Sequence, residues 1–176
     1  YRSWRETADV RRVDFSRLSN WLMKRVGATH LWGAHYYTGI EIGSAAESDA
    51  QRNLSRFLND LEVLPGYFVY RFPRRARSGT CPNCGAETRF SLEKEVDTTM
   101  VADMLRLAAV NAFDVMVLIS GDTDHAPAVE GVKMLGKKVY LASWGGYGLS
   151  TRLLRAAFDH IDLLEGIGNF EMSESA

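Results

Sequence analysis

The 176-residue chain has only two cysteines, Cys81 and Cys84, and both fall in one CPNCG segment. That argues against a secreted scaffold held by several disulfides. No apolar run approaches the ~20 residues that a membrane-spanning helix needs, so no membrane partner is expected. Positive charge is not in excess: 21 Lys and Arg stand against 22 Asp and Glu, a formal net charge of −1. Attraction for a polyanion must therefore come from a local patch. There is no internal repeat and no visible signal peptide, although a chain that begins late would hide one. The expected location is cytoplasmic. The glycine-rich segment at 144–148 lacks the spacing, and the following Lys-Ser/Thr pair, of a phosphate-binding loop.

What is present reads as one globular domain. A hydrophobic fraction of 46% and a charged fraction of 24% are ordinary, and the length suffices for a substantial core. Helical and strand-like patterns alternate. Asp14 precedes apolar residues at Phe15, Leu18, Trp21, Leu22 and Val26, a helical spacing that Gly27 ends. Residues 30–37 (HLWGAHYY) read as a strand, with His35 either packed or a ligand. A loop over 39–48 leads to an amphipathic helix over 47–64, punctuated by Pro65 and Gly66. Residues 67–72 (YFVYRF) read as the next strand. Further on come a helix over 125–135, a strand over 138–142, a helix over 150–158 and a short strand over 160–164. This alternation is the mark of a mostly parallel sheet flanked by helices. The domain is expected to span 1–170, with an insertion at about 73–92 and a tail at 171–176.

The most informative stretch runs from Lys94 to Asp124. A helical pattern carries Asp97 at its start and Asp103 within it. The β-branched run VMVLI follows at 115–119 and ends abruptly in Ser120, Gly121, Asp122, Thr123, Asp124. Such a run suits a parallel strand covered on both faces. Open α/β sheets place ligand sites at the carboxyl ends of their strands, where Asp122 and Asp124 stand. Carboxylates that converge without basic partners repel one another unless a cation neutralises them. Oxygen-only ligands favour hard ions such as Mg²⁺ or Mn²⁺. The plainer reading makes Asp97 an N-cap, Asp103 a solvated helix residue and SGDTD a turn.

Between these regions lies an arginine-rich segment: Arg71, Arg74, Arg75, Arg77 and Arg89 surround CPNCG. With Tyr67 or Phe72 available for stacking, such a patch suits a phosphate backbone; the alternative is a solvated loop. Lys94 can join the phosphate contacts. Cys81 and Cys84 form half of a zinc knuckle, which needs about four ligands in all. A histidine or a second chain would have to complete it, and a homodimer is one way to do so. Reduced structural thiols and redox chemistry are the other readings.

KEVD, an Asp six positions on, the strand ending in SGDTD, then Pro127 and GKKVYL together resemble the NYN family, ribonuclease-like domains of the PIN superfamily. The resemblance covers about 13–164. It implies a three-layer PIN-like α/β fold and a metal-dependent endoribonuclease acting on RNA. Asp97, Asp122 and Asp124 match the family's metal-binding acidic positions, and Asp103 matches a further one. Ser120 then falls beside the ligating carboxylates, in reach of substrate, and Arg74, Arg75, Arg77 and Lys94 would position the strand. His125 stands where the family has an aromatic residue. The family's opening strand, which ends in Asp, has no counterpart: the chain opens with what resembles the segment just after it. A chain that begins late is one explanation; a rearranged or catalytically defective member is the other. The competing function is therefore a non-catalytic RNA- or protein-binding module on the same fold. A phosphatase using a DxD pair would need an early nucleophilic Asp motif, and none is visible.

Overall fold

Asp14 starts the first helix, α1 (Phe15–Val26). Its carboxylate accepts from the Arg17 N–H at 2.9 Å, and Gly27 closes the helix in the left-handed region at φ 70°. The computed structural model describes residues 13–41, 48–80, 83–93, 95–145 and 149–172, with the side chains of 75–78 and 88–93 outside that description. The chain divides into two compact units, one of residues 33–100 and one of 1–32 together with 101–176.

In the 33–100 unit, β1 (Ala34–Glu41) and β2 (Tyr67–Thr80) pair in parallel, and β2 pairs antiparallel with β3 (Glu87–Glu93). The crossover between the parallel strands is α2 (Asp49–Glu62). A reciprocal cap starts it: Ser48 Oγ accepts from the Gln51 N–H, and Gln51 Oε1 accepts from the Ser48 N–H. Leu58 and Leu61 of α2 are buried, and Phe57 meets Tyr36 of β1 edge-on. Side chains alternate along a strand. The neighbouring positions His35 and Tyr37 accordingly stack with Phe68 and Tyr70 of β2. The segment expected as an insertion takes the form of a hairpin, in register from Arg74↔Glu93 to Thr80↔Glu87.

In the other unit, β4 (Val115–Ile119), β5 (Lys138–Ser143) and β6 (Asp159–Asp162) are all parallel, in that order. Helix α3 (Val96–Ala109), whose first residues are counted with the 33–100 unit, leads into β4. A 3-10 turn (Thr123–His125) and α4 (Ala126–Met134) connect β4 to β5, and α5 (Thr151–Ala156) connects β5 to β6. Parallel strands require such crossovers. Val139, Leu141 and Ala142 of the central strand β5 are fully buried.

One cluster joins Leu18 and Leu22 of α1 to Ala142, Trp144, Ile161, Leu163 and Phe170. Each large side chain buried there contributes about 1.5–3 kcal/mol. The Trp21 ring lies over Gly166, where an added Cβ would stand 2.1 Å from Trp21 Cζ2. On α4, Ala126, Ala128, Val129 and Val132 are buried, and Gly131 lets Leu105 of α3 approach closely. The start and end of the described chain meet: Val13 bridges Glu171, and the Asp14 N–H donates to Phe170 O at 2.8 Å.

The class is α/β with mostly parallel pairing, as the alternation predicts. The described strands pair in two three-stranded groups, β1–β2–β3 and β4–β5–β6. The strand expected over 30–37 starts at Ala34 and runs on to Glu41, and the strand expected to end at Phe72 continues to Thr80. No helix among the described residues is long and apolar enough to cross a membrane.

Candidate active site at the carboxyl end of β4

Strand β4 delivers the chain to the sheet's carboxyl edge at Ile119, and the next five residues fold back into a hydrogen-bonded turn. Ser120 Oγ is its hub. It accepts from the Asp122 N–H at 3.2 Å and lies 2.9 Å from His125 Nδ1. Asp122 caps the 3-10 turn, with Oδ1 accepting from the Asp124 N–H at 3.0 Å, and the His125 N–H reaches Asp122 O. The imidazole is buried, at 3% exposure, so the hub is anchored in the core rather than in solvent. A second tie comes from the start of α5. Ser150 Oγ hydrogen-bonds to Thr123 Oγ1, and the Ser150 N–H donates to Gly121 O. Asp122 and Asp124 are both exposed, and among the described residues neither forms an ion pair. Asp122 spends one oxygen on the turn; Oδ2 has no hydrogen bond among the described residues.

The structure thus brings Ser120, Asp122 and Asp124 together. Asp103 is different. It is buried, at 7% exposure, and Arg106 donates to its Oδ1 at 2.8 Å. Asp97 is exposed in the first turn of α3 and belongs to the 33–100 unit. Among the described residues no three His, Cys, Asp or Glu groups meet so as to hold a metal ion. The donor chemistry of the turn still suits one kind of ion. Mg²⁺ keeps several waters and takes one or two carboxylates together with substrate phosphate, instead of an all-protein cage.

Of the arginine-rich segment, Arg74 is half-buried on β2, at the register position opposite Glu93 and beside Glu41 of β1. Arg75 and Arg77 sit on β2, with side chains outside the described residues, as Lys94 and Cys81 are altogether. Cys84 is an exposed free thiol.

Sequence reasoning missed two devices at this edge. Ser150 carried no signal beyond its place before a short helix, yet it both caps α5 and ties α5 to the acidic turn. Asp162 at the end of β6 accepts from the N–H groups of Gly145 and Leu164, fixing the loop after β5. Beside it, Ser143 donates to Gly145 O and lies 2.8 Å from His160 Nε2.

The NYN domain model matches residues 5–164. The chain belongs to the NYN family. NYN domains are generally nucleases of the PIN-like superfamily. A crystal structure of a protein of unknown function from Vibrio parahaemolyticus is similar to this NYN chain, with a TM-score of 0.60 at 19% identity over 98% of this chain and 89% of that one. At that identity the likeness speaks for the fold alone. No curated protein matches the chain.

Proposed function

We propose that this NYN protein is a metal-dependent endoribonuclease whose chemistry centres on the turn from Ser120 to Asp124. The observation that supports this most is the pair of exposed carboxylates, Asp122 and Asp124, held on a core-anchored turn at a strand's carboxyl end with no cation paired to them among the described residues. Exposed carboxylates normally gain little from isolation; a turn built to hold two of them fits a site that takes its positive charge from outside. Asp122 Oδ2 and the Asp124 carboxylate would hold Mg²⁺ or Mn²⁺. When bound, such an ion stabilises charge on phosphoryl and leaving oxygens and orients the phosphodiester. Ser120 and His125 keep the turn in position, and Arg74, Arg75, Arg77 and Lys94 position the RNA strand. Residues 1–170 would then form one NYN domain carrying an insertion at about 73–92.

The test is cleavage of a labelled single-stranded RNA by the full chain with Mn²⁺, Mg²⁺ or EDTA, beside Asp122→Asn. The amide oxygen of Asn can still cap the Asp124 N–H, so the fold survives while the charge is lost. Metal-dependent cleavage should fall by more than the roughly 10- to 100-fold that removal of an outer partner of a metal ligand costs. Equal inactivity of both proteins, with RNA binding retained, would favour the non-catalytic binding module. That second reading draws its support from the lack of a three-ligand group among the described residues.

A further inference from the structure

Helices α4 and α5 flank an open cleft of about 390 Å³, lined by Glu130, Lys133, Thr151, Arg152, Arg155 and Ala156. Three of the six lining residues are cationic and one is anionic. Arg152 and Arg155 are exposed, stand three apart on one helix and so share a face. Among the described residues neither forms an ion pair or a hydrogen bond through its side chain. Lys133 reaches across from α4 and donates to Ala156 O at the last turn of α5. The two helices are thereby latched, and a further positive charge stays at the cleft wall. No aromatic or large aliphatic side chain lines it, unlike a small-molecule pocket or a base-stacking platform. Guanidinium forks without carboxylate partners match phosphate oxygens, which they bind two at a time.

The cleft and the acidic turn share one helix. The same α5 that carries both arginines is tied at its start, through Ser150, to Thr123 and Gly121. Arg155 lies five residues beyond Ser150, about 7.5 Å of helix rise. We propose that the α4–α5 cleft binds the phosphate backbone of a single-stranded RNA whose neighbouring phosphates reach the turn at Asp122 and Asp124. This deepens the proposed function and rests on it for the identity of the polymer. Because the lining offers charge and no stacking surface, the contact positions the strand without reading its sequence.

The experiment measures binding of a fluorescent, unstructured RNA of mixed sequence by anisotropy, in EDTA, across a KCl series. Wild type is compared with Arg152→Gln/Arg155→Gln and with a control of equal charge loss, Lys24→Gln/Arg56→Gln. Each phosphate contact on a single strand contributes about 0.7 to the log–log salt slope, so losing two lowers it by about 1.4 and weakens binding about 25-fold at 0.1 M salt (10 to the power 1.4). Either single variant should lower the slope by about half as much, which covers any misfolding of the double variant. A cleft variant that behaves like the control overturns the proposal. Equal competition by polyglutamate, matched in charge, overturns the assignment to RNA. If wild type cleaves RNA while the cleft variant binds unchanged, this inference fails and the nuclease reading stands. If binding depends on the cleft but wild type never cleaves, the nuclease reading fails and the cleft stands.

Discussion

Replacing Gly166 by alanine sets two opposite effects against each other. Gly166 has φ −96°, a conformation open to any residue, so the backbone itself would favour alanine. Loss of unfolded-state freedom alone would stabilise the protein by about 0.4–1 kcal/mol. Sterics run the other way. An ideal Cβ would stand 2.1, 2.4 and 2.5 Å from Cζ2, Cε2 and Cη2 of Trp21. Carbon atoms rest about 3.5–4.0 Å apart, so the indole must retreat by more than ~1 Å. It has little room: its ring packs 5.3 Å, centroid to centroid, from Phe170, which is fully buried. Overpacking of this kind costs about 1–3 kcal/mol, and a clash with a rigid ring belongs at the upper end. At about 2–4 °C per kcal/mol for a chain of this size, Gly166→Ala should lower Tm by about 4–10 °C. Thermal melts followed by circular dichroism would measure it. The same change in a Trp21→Leu background should cost little or even stabilise. A Gly166→Ala protein that melts at or above wild type would refute the placement of Trp21 over this glycine.

Three further outcomes are expected. Asp122→Ala removes the oxygen that caps the Asp124 N–H and should cost about 0.5–2 kcal/mol, whereas Asp122→Asn should melt close to wild type; equal melting of the two variants would show that the cap carries no weight. Ser120→Ala deletes the hub between Asp122 and His125 and should cost about 1–3 kcal/mol, visible as a lower urea midpoint, together with reduced RNA cleavage. The third concerns pH. Arg71 donates to Glu62 at 2.9 Å and holds its carboxyl below the ordinary value of 4.5. A depressed acid stabilises the fold above its unfolded pKa and loses that contribution as pH falls through the folded one. The Tm difference between wild type and Glu62→Gln should thus be present at pH 7 and shrink as pH falls below the ordinary 4.5, and a difference unchanged across that range would count against the pair.

Local signals carried much of the fold. Asp14 and Gly27 bracket α1 because a capping carboxylate and a left-handed glycine act within one helical turn of themselves. VMVLI at 115–119 is the strand β4, residue for residue, since a short β-branched run between a helix and SGD has few alternatives. The misplacements have a common cause in partners distant in sequence. The polar arm at 73–80 looked like a loop because its strand character comes from β3, beyond the cysteines, and not from an apolar pattern of its own. Gly39 reads as a loop residue but pairs with Phe72 inside a parallel ladder. The side chains of one strand do not name its neighbour, so the grouping of the strands was not legible. At the site, the SGDTD turn was readable because the sheet edge fixes it. Burial of Asp103 beside Arg106 was not, because it depends on what packs against α3.

The unit built from 1–32 and 101–176 is interrupted by the whole of the other. That has a consequence for synthesis. Residues 33–100 are continuous, so their mutual contacts can begin to form as soon as they emerge from the ribosome. Helix α1 is made before the residues that cover it and must wait for Ile161, Leu163 and Phe170 before its apolar face is covered. At about 5–20 residues per second, that interval is on the order of 10–30 s. During that time Leu18, Trp21 and Leu22 are an exposed hydrophobic stripe on a nascent chain. A chain that folds in this order depends on chaperones during that interval, and slowing translation after residue 100 should lower its soluble yield.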